Sequence, residues 1–129
     1  MKLHLLIRPN VYPLTFRVFF NYKNKDKAEL IRHIRTRSTE TRKAIIDAVN
    51  EHNLCDVDGL HINHGSHFII IMPNFQTNNF KHYSYLQHEL THAVLVSGNY
   101  MGFGIGKDSE EYYCYMMGFL TERIYKELW

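Results

Sequence analysis

The sequence predicts an α+β protein in which a small mixed β-sheet packs against helices. Three short segments, residues 3–7, 14–20 and 67–72, are rich in apolar, β-branched and aromatic residues that favour strands. In other segments apolar residues recur every three or four positions, which is the spacing of an amphipathic helix. The chain has 129 residues, of which 45% are hydrophobic, and this is enough for one modest core. We therefore expect a single domain spanning residues 1–129.

Two helices are expected between the second strand and the middle of the chain. The first runs from Asp26 to about Arg35, and its inward side chains are Ala28, Leu30, Ile31 and Ile34. The second runs from about Thr39 to Asn53, and its inward side chains are Ala44, Ile45, Ala48 and Val49. The polar interval between the two apolar groups favours a break over one long helix.

A hairpin is predicted after these helices. Asp58 and Gly59 mark a turn, and residues 60–63 and 67–72 form strands around His64-Gly65-Ser66. Pro73 ends the second strand, and residues 74–81 form a loop into the next helix.

The most informative feature of the chain is the HExxH motif His88-Glu89-Leu90-Thr91-His92. We expect it on a helix, with Ser84 as the N-cap and Gly98 as the stop. Residues four apart share one face of a helix, so the two imidazoles can bind one metal ion. Glu89 projects about 100° round from His88, where it can take a proton from a water on that ion. The motif predicts a Zn²⁺ site with Glu89 as general base.

The alternative is an ordinary helix that carries two surface histidines. The apolar flanks of the motif instead favour a buried helix, and they comprise Leu86, Leu90, Ala93, Val94 and Val96. Buried polar groups need partners, and a metal ion would satisfy both imidazoles.

A third ligand is expected from a second helix between Ser109 and about Lys126, capped by Asp108 or Ser109. Its predicted core stripe comprises Tyr113, Met116, Met117, Leu120 and Ile124. A glycine-rich turn (Gly98, then Gly102-Phe103-Gly104-Ile105-Gly106) would reverse the chain and return Glu110 and Glu111 over the histidines. We favour Glu111, which shares a face with Tyr115 and Gly118, because a glycine there permits close helix packing. Glu110 remains the alternative.

The motif together with a helical glutamate downstream resembles the gluzincin branch of the zincin metallopeptidases. The segments that begin at His88 and at Glu111 are similar to small HExxH proteins of bacteriophages and mobile elements. The resemblance covers roughly the last 60 residues, and it implies a minimal zincin-like fold with zinc bound by His88, His92 and Glu111. It also implies a metallopeptidase whose metal-activated water attacks peptide bonds, and an edge strand beside the cleft that pairs with substrate. Tyr115 stands where larger gluzincins usually carry an aspartate.

Composition argues against several other classes of protein. A net charge of +2 is too mild to imply nucleic-acid binding, and the basic run from Arg32 to Lys43 is interspersed with acids. No apolar run approaches membrane-spanning length, and the N-terminal segment is unlike a signal peptide. Cys55 and Cys114 form no recognisable motif, so we expect both to be reduced and mostly buried. The expected compartment is the cytoplasm, which for a phage-type protein is that of the host.

Several further side chains receive ordinary interpretations. His61, His64 and His67 are expected to make hydrogen bonds rather than a second metal site, and His82 to be an exposed loop residue. Candidates for stabilising an oxyanion are Tyr100, Tyr112 and His67. Two alternatives to a peptidase stay open: a catalytically inactive binding module stabilised by zinc, and a zinc hydrolase of a non-protein amide such as a cell-wall peptide.

Overall fold

The sheet has four strands, and its mixed character confirms the prediction. The structure, a computed structural model, describes residues 1–104, 106 and 109–129. The strands are β1 (Leu3–Ile7), β2 (Thr15–Phe20), β3 (Leu60–His64) and β4 (His67–Met72). They lie in the order β1-β2-β4-β3, with β2 and β4 parallel and the two outer pairs antiparallel. The observed architecture is therefore α+β, and β3 is an edge strand.

The helices of the first half are separated as predicted. A short 3-10 turn at Asn24–Asp26 leads into α1 (Lys27–Arg32), which is shorter than expected. The second helix, α2, spans Thr39–Glu51 and begins where the Ser38 hydroxyl accepts a hydrogen bond from the Thr41 amide at 3.1 Å. This cap satisfies a backbone donor that the first helical turn leaves unpaired.

Helices cover both faces of the sheet. One core lies between the sheet and α3 (Phe80–Tyr100) and α4 (Glu110–Leu128). The other core lies between the sheet and α1 and α2. Alternate residues of β4 enter the two cores, with Phe68, Ile70 and Met72 on the α3 side and Ile69 and Ile71 on the other. This double burial explains why the β4 sequence is continuously apolar.

The helix that carries the HExxH motif is longer than predicted at both ends. Its N-cap is Asn79, whose side chain accepts from the Lys81 amide, so the Ser84 cap was wrong. Gly98 was also wrong as a stop, because it lies buried inside α3. The helix ends at Tyr100, before Gly102 with its φ of 86°. An ideal Cβ at Gly98 would lie 2.5 Å from the ring of Tyr113, so this glycine is needed for close packing against α4.

The fourth helix returns along α3 as an antiparallel hairpin. Its N-cap is Ser109, while the other candidate cap, Asp108, lies outside the described residues, as does Ile105 of the predicted turn. Its buried stripe is Tyr112, Met116, Leu120 and Ile124, so Tyr112 takes the first place, which was predicted for Tyr113. Tyr113 and Met117 are only partly buried. Within the described ranges, no helix is long and apolar enough to cross a membrane.

Both cysteines lie on the surface. Cys55 and Cys114 are free thiols, as predicted, but each is exposed rather than buried. The Sγ atom of Cys55 accepts a hydrogen bond from the side chain of Asn24 at 3.3 Å, in the loop before β3. Neither thiol contributes to the two cores.

Candidate metal centre

The two histidines of the motif converge on one point outside α3. Their positions, four residues apart, place both side chains on one face of the helix. The Nε2 atoms of His88 and His92 lie 3.1 Å apart. Two nitrogens bound to one tetrahedral zinc at 2.0–2.1 Å would be separated by about 3.3 Å. The pair is therefore spaced as two ligands of a single ion, and the two nitrogens lie within hydrogen-bonding distance of each other.

The environment of this pair differs from the one that the sequence predicted. Both His88 and His92 are exposed, because they lie on the side of α3 opposite its buried residues Leu86 and Leu90. Because both imidazoles are exposed, burial does not require them to have a metal ion as a partner. The support for a metal site is instead the spacing of the two nitrogens.

The third polar residue of the motif, Glu89, lies beside the pair and is half-buried. Its Cγ atom packs against Gly59, where an ideal Cβ would approach to 2.8 Å. Burial raises the pKa of the Glu89 carboxyl, and the neighbouring His88 and His92 oppose part of that effect. A carboxylate with a raised pKa is a stronger proton acceptor, as a general base requires.

A cleft opens next to Glu89. Its volume is about 520 Å³, and its walls are the turn before β3 on one side and α3 on the other. The turn contributes Val57, Asp58 and Gly59, and the helix contributes Ser84, Tyr85, His88 and Glu89. The site thus has space for a substrate segment beside the candidate base.

Glu111, the predicted third ligand, is not brought to the histidine pair. It is exposed in the first turn of α4. It shares a helical face with Tyr115 and Gly118, and an ideal Cβ at Gly118 would have no neighbour within 4 Å. Gly118 therefore makes no close contact with α3, and the reason for preferring Glu111 over Glu110 does not hold.

The side of α4 that meets α3 carries Tyr113, Thr121 and Tyr125. Tyr113 packs on Gly98, and Thr121 and Tyr125 both accept from the side-chain amide of Gln87, at 3.4 and 3.0 Å. Glu110 precedes Tyr113 by three residues and so belongs to this side of the helix. It too is exposed in this structure.

The residues present thus fit part of a zinc site. Two imidazole nitrogens have the spacing that zinc requires, and imidazole is a common zinc ligand. Among the residues that the structure describes, however, no group of three or more His, Cys, Asp or Glu side chains is arranged to hold a metal ion. A protein site for zinc normally has at least three such ligands.

The histidines of the β3–β4 hairpin separate onto the two faces of the sheet. His64 and His67 face α2 and make ordinary hydrogen bonds, as predicted, to Thr41 at 2.9 Å and Arg17 at 3.1 Å. His61 faces α3, and its ring is parallel to that of His92 with centroids 6.4 Å apart. The Nε2 atom of His61 is buried and has no hydrogen-bond partner among the described residues. Burial lowers the pKa of this imidazole to about 4.

The four remaining candidates of the sequence lie away from the motif or have a structural role. The Tyr112 hydroxyl is buried and bonded to Ser97 at 2.6 Å, while Tyr100 is exposed two helical turns beyond His92. His67 lies on the far face of the sheet. His82 is half-buried in the first turn of α3 and accepts from the Gln76 amide, so it is not an exposed loop residue.

Several residues that line the cleft were not predicted from the sequence to belong to a site. Asp58 and Gly59 were predicted only as a turn, and no role was predicted for Val57 and Tyr85. Comparison of the chain with models of known protein families, with curated proteins and with solved structures finds no match. The function of this protein must therefore be inferred from the site itself.

Proposed function

We propose that this protein is a zinc-dependent metallopeptidase with a zincin-like site. In this proposal His88 and His92 bind the metal and Glu89 is the general base. The observation that carries it is the 3.1 Å separation of the two Nε2 atoms, with the Glu89 side chain lying at the adjacent cleft. A helix with two unrelated surface histidines would have no reason to combine this spacing with a half-buried glutamate of raised pKa.

The chemistry divides between the ion and the chain. Zinc, when bound, lowers the pKa of water and polarises a carbonyl group. The Glu89 carboxylate accepts the proton of the attacking water and then delivers it to the leaving amine. Its packing against Gly59 holds the carboxylate in place, so little ordering is needed at the moment of reaction.

The position of the cleft supports a peptide as the substrate. The cleft begins at the turn that leads into β3, and β3 is an edge strand of the sheet. An edge strand presents unpaired backbone amides and carbonyls, to which an extended peptide can add as a further strand. Peptide backbone held there would run past Glu89 and the histidine pair.

The second candidate function is a binding module in which zinc only stabilises the fold. A structural zinc site is normally closed by four protein ligands, whereas the described part of the chain has no three side chains arranged for a metal. Such a site also has no need of a carboxylate next to the first histidine. The function of Glu89 therefore separates the two candidates.

The experiment is the isosteric substitution Glu89→Gln. Hydrolysis of fluorescently labelled casein and of a mixture of short random peptides is measured with zinc-loaded protein. We expect Glu89→Gln to bind zinc and fold normally but to lose activity by at least about 100-fold, because an amide cannot accept the proton. Glu122→Gln, an exposed change on α4, is the matched control and should retain full activity.

Two outcomes would contradict the proposal. Equal hydrolysis by Glu89→Gln and the natural protein would exclude Glu89 as the base. Zinc binding without any hydrolysis by the natural protein would favour the binding module.

A further inference from the structure

The contacts of the two residues next to His88 show which elements border the histidine pair. A third ligand must come from one of these elements. Gln87 and Glu89 flank His88 in sequence, so they project about 200° apart around the helix. Gln87 donates to Thr121 and Tyr125 of α4, while Glu89 packs on Gly59 at the start of β3. The histidine pair is therefore bordered by α4 on one side and by the β3 edge on the other.

The α4 side offers a poor third ligand. Ser97 pairs with Tyr112, and Gln87 pairs with Tyr125, so the helices run antiparallel with Tyr112 about one and a half turns beyond His92. Glu111 adjoins Tyr112 at that end and is exposed. Reaching the imidazoles would require α4 to rotate, and its buried stripe of four residues opposes rotation.

The β3 side offers His61. Strand alternation places its side chain on the face of the sheet that α3 covers, while Leu60 and Ile62 enter the other core. Its ring lies parallel to those of both Phe68 and His92, at centroid distances of 6.2 and 6.4 Å. An imidazole is thus already positioned next to one of the two convergent histidines.

The His61 ring also has an unused polar atom. Its Nε2 is buried without a hydrogen-bond partner among the described residues, and leaving such a group unsatisfied costs roughly 1–3 kcal/mol. His64 and His67, the other histidines of the hairpin, both have partners. A metal ion at the site would give this nitrogen a partner.

Binding of a common ion would require the His61 ring to move. Two imidazoles bound to one tetrahedral zinc have ring centroids about 5 Å apart, given bond lengths near 2.0–2.1 Å. The His88–His92 centroids are 4.6 Å apart, which is close to this value, whereas the His61–His92 centroids are 6.4 Å apart. The His61 ring would therefore have to move closer to His92, with a ring nitrogen facing the pair.

We infer that the third protein ligand of the metal is His61 from the edge strand, and that Glu111 is not a ligand. This inference rests on the proposed function only in taking His88 and His92 as the other two ligands. The site would then be a three-histidine site with an open fourth position, and the metal would join β3 to α3 next to the cleft.

The test measures zinc affinity by competition with a chromophoric chelator, so that it does not depend on activity. His61→Ala and His61→Phe are compared with Glu111→Ala and Glu110→Ala, and circular dichroism checks that each variant folds. His61→Phe retains a ring next to Phe68, which protects the packing of the hairpin. We expect both His61 variants to bind zinc more than about 100-fold more weakly, since even outer-shell partners contribute 10- to 100-fold. Both glutamate variants should bind zinc like the natural protein.

The outcomes are distinguishable. Weaker binding by Glu111→Ala with unchanged binding by the His61 variants would overturn this inference and leave the proposed function intact. Unchanged binding by all four variants, with binding still lost in His92→Ala, would also overturn it. A natural protein that binds no zinc would overturn the proposed function and this inference together.

Discussion

Gly59 and Glu89 are in direct contact across the cleft, although they lie on different elements. An ideal Cβ at position 59 would lie 2.8 Å from Cγ of Glu89 and 3.0 Å from Sδ of Met72. Since real Cβ atoms almost never approach so closely, any side chain at this position must displace one of the two neighbours. The absence of a side chain at Gly59 therefore leaves room for the Glu89 side chain in its present position.

Substitution of Gly59 should consequently impair catalysis more than binding. In Gly59→Ala the new methyl group pushes Glu89 away from its present position, while His88 and His92 stay where they are. We expect hydrolysis to fall by about 10- to 100-fold, since a displacement near 1 Å can have this effect. Zinc affinity, measured with the chelator, should be unchanged.

Gly118→Ala is the matched control for this change. An ideal Cβ at Gly118 has no neighbour within 4 Å, and the residue lies inside α4. Alanine there should leave activity unchanged and stabilise the fold by about 0.5–1 kcal/mol, because glycine is a poor helix residue. Full activity in Gly59→Ala would show that the position of Glu89 is not critical.

The hairpin of α3 and α4 can be tested at Gly98. An ideal Cβ at this position would lie 2.5 Å from the Tyr113 ring, whose hydroxyl donates to the Phe103 carbonyl at 3.0 Å. We expect Gly98→Ala to lower the free energy of unfolding by about 1–3 kcal/mol in spite of alanine's better helix propensity. Denaturant unfolding measures this, and a stabilised variant would mean that the two helices do not pack as described.

Two histidines away from the candidate metal centre make stability depend on pH. Burial lowers the pKa of His4 to about 4, with a smaller effect from His33 and Arg17. Burial likewise lowers the pKa of His67, which accepts a hydrogen bond from the buried Arg17 guanidinium. The folded protein therefore keeps both rings neutral, whereas the unfolded chain takes up protons below about pH 6.5.

The resulting stability should be fully present above about pH 6.5 and should be lost as the pH falls towards 4. We expect His4 to contribute a loss of about 2 kcal/mol over this window, less than its full shift implies because the ring is partly exposed, and His67 to add a loss in the same direction. In the natural protein the His4 ring stacks on Phe19 with centroids 4.5 Å apart. The His4→Phe variant keeps a ring for this stacking, and the slope of its unfolding free energy against pH should be shallower. Denaturant unfolding at several pH values measures the free energy of unfolding. An unchanged slope against pH in His4→Phe would exclude His4 as a contributor.

The apolar flanks of the motif suggest a buried His92 whose loss would destabilise the fold, but the structure shows an exposed His92. Since the side chain is exposed, His92→Ala should leave the metal-free protein as stable as the natural one. Zinc at 100 times its dissociation constant should stabilise the natural protein by about 2.7 kcal/mol, and His92→Ala should not gain this. Thermal unfolding with and without zinc gives both values, and an equal zinc effect in the variant would remove His92 from the site.

Local sequence patterns were sufficient for most of the fold. Strand β1 and strand β4 have their predicted limits, and the break between α1 and α2 was visible as a polar interval. The ends of α3 were harder to predict from the sequence, because capping depends on backbone geometry. Asn79 and Ser84 are both capable caps, and only the backbone shows which one begins the helix.

The candidate site was predictable only as far as it is local. The approach of His88 to His92 follows from helical spacing, which the motif contains in full. The partners of the motif across the fold depend on which side of α3 each element packs, and neither Gly59 nor His61 has a sequence signal for that. Glu111 was preferred as a ligand because Gly118 on the same face would permit close helix packing. In the structure an ideal Cβ at Gly118 would have no neighbour within 4 Å, so this reason finds no support.

The central claim, that the HExxH pair binds zinc, is tested most directly by native mass spectrometry of the protein with added zinc. The natural chain and a His88→Ala/His92→Ala double variant are compared at equal metal concentration. Both histidines are exposed, so the double variant should fold, which circular dichroism verifies. We expect one zinc ion per natural chain and none in the double variant. A natural chain that carries no zinc, or a double variant that carries as much as the natural chain, would contradict it.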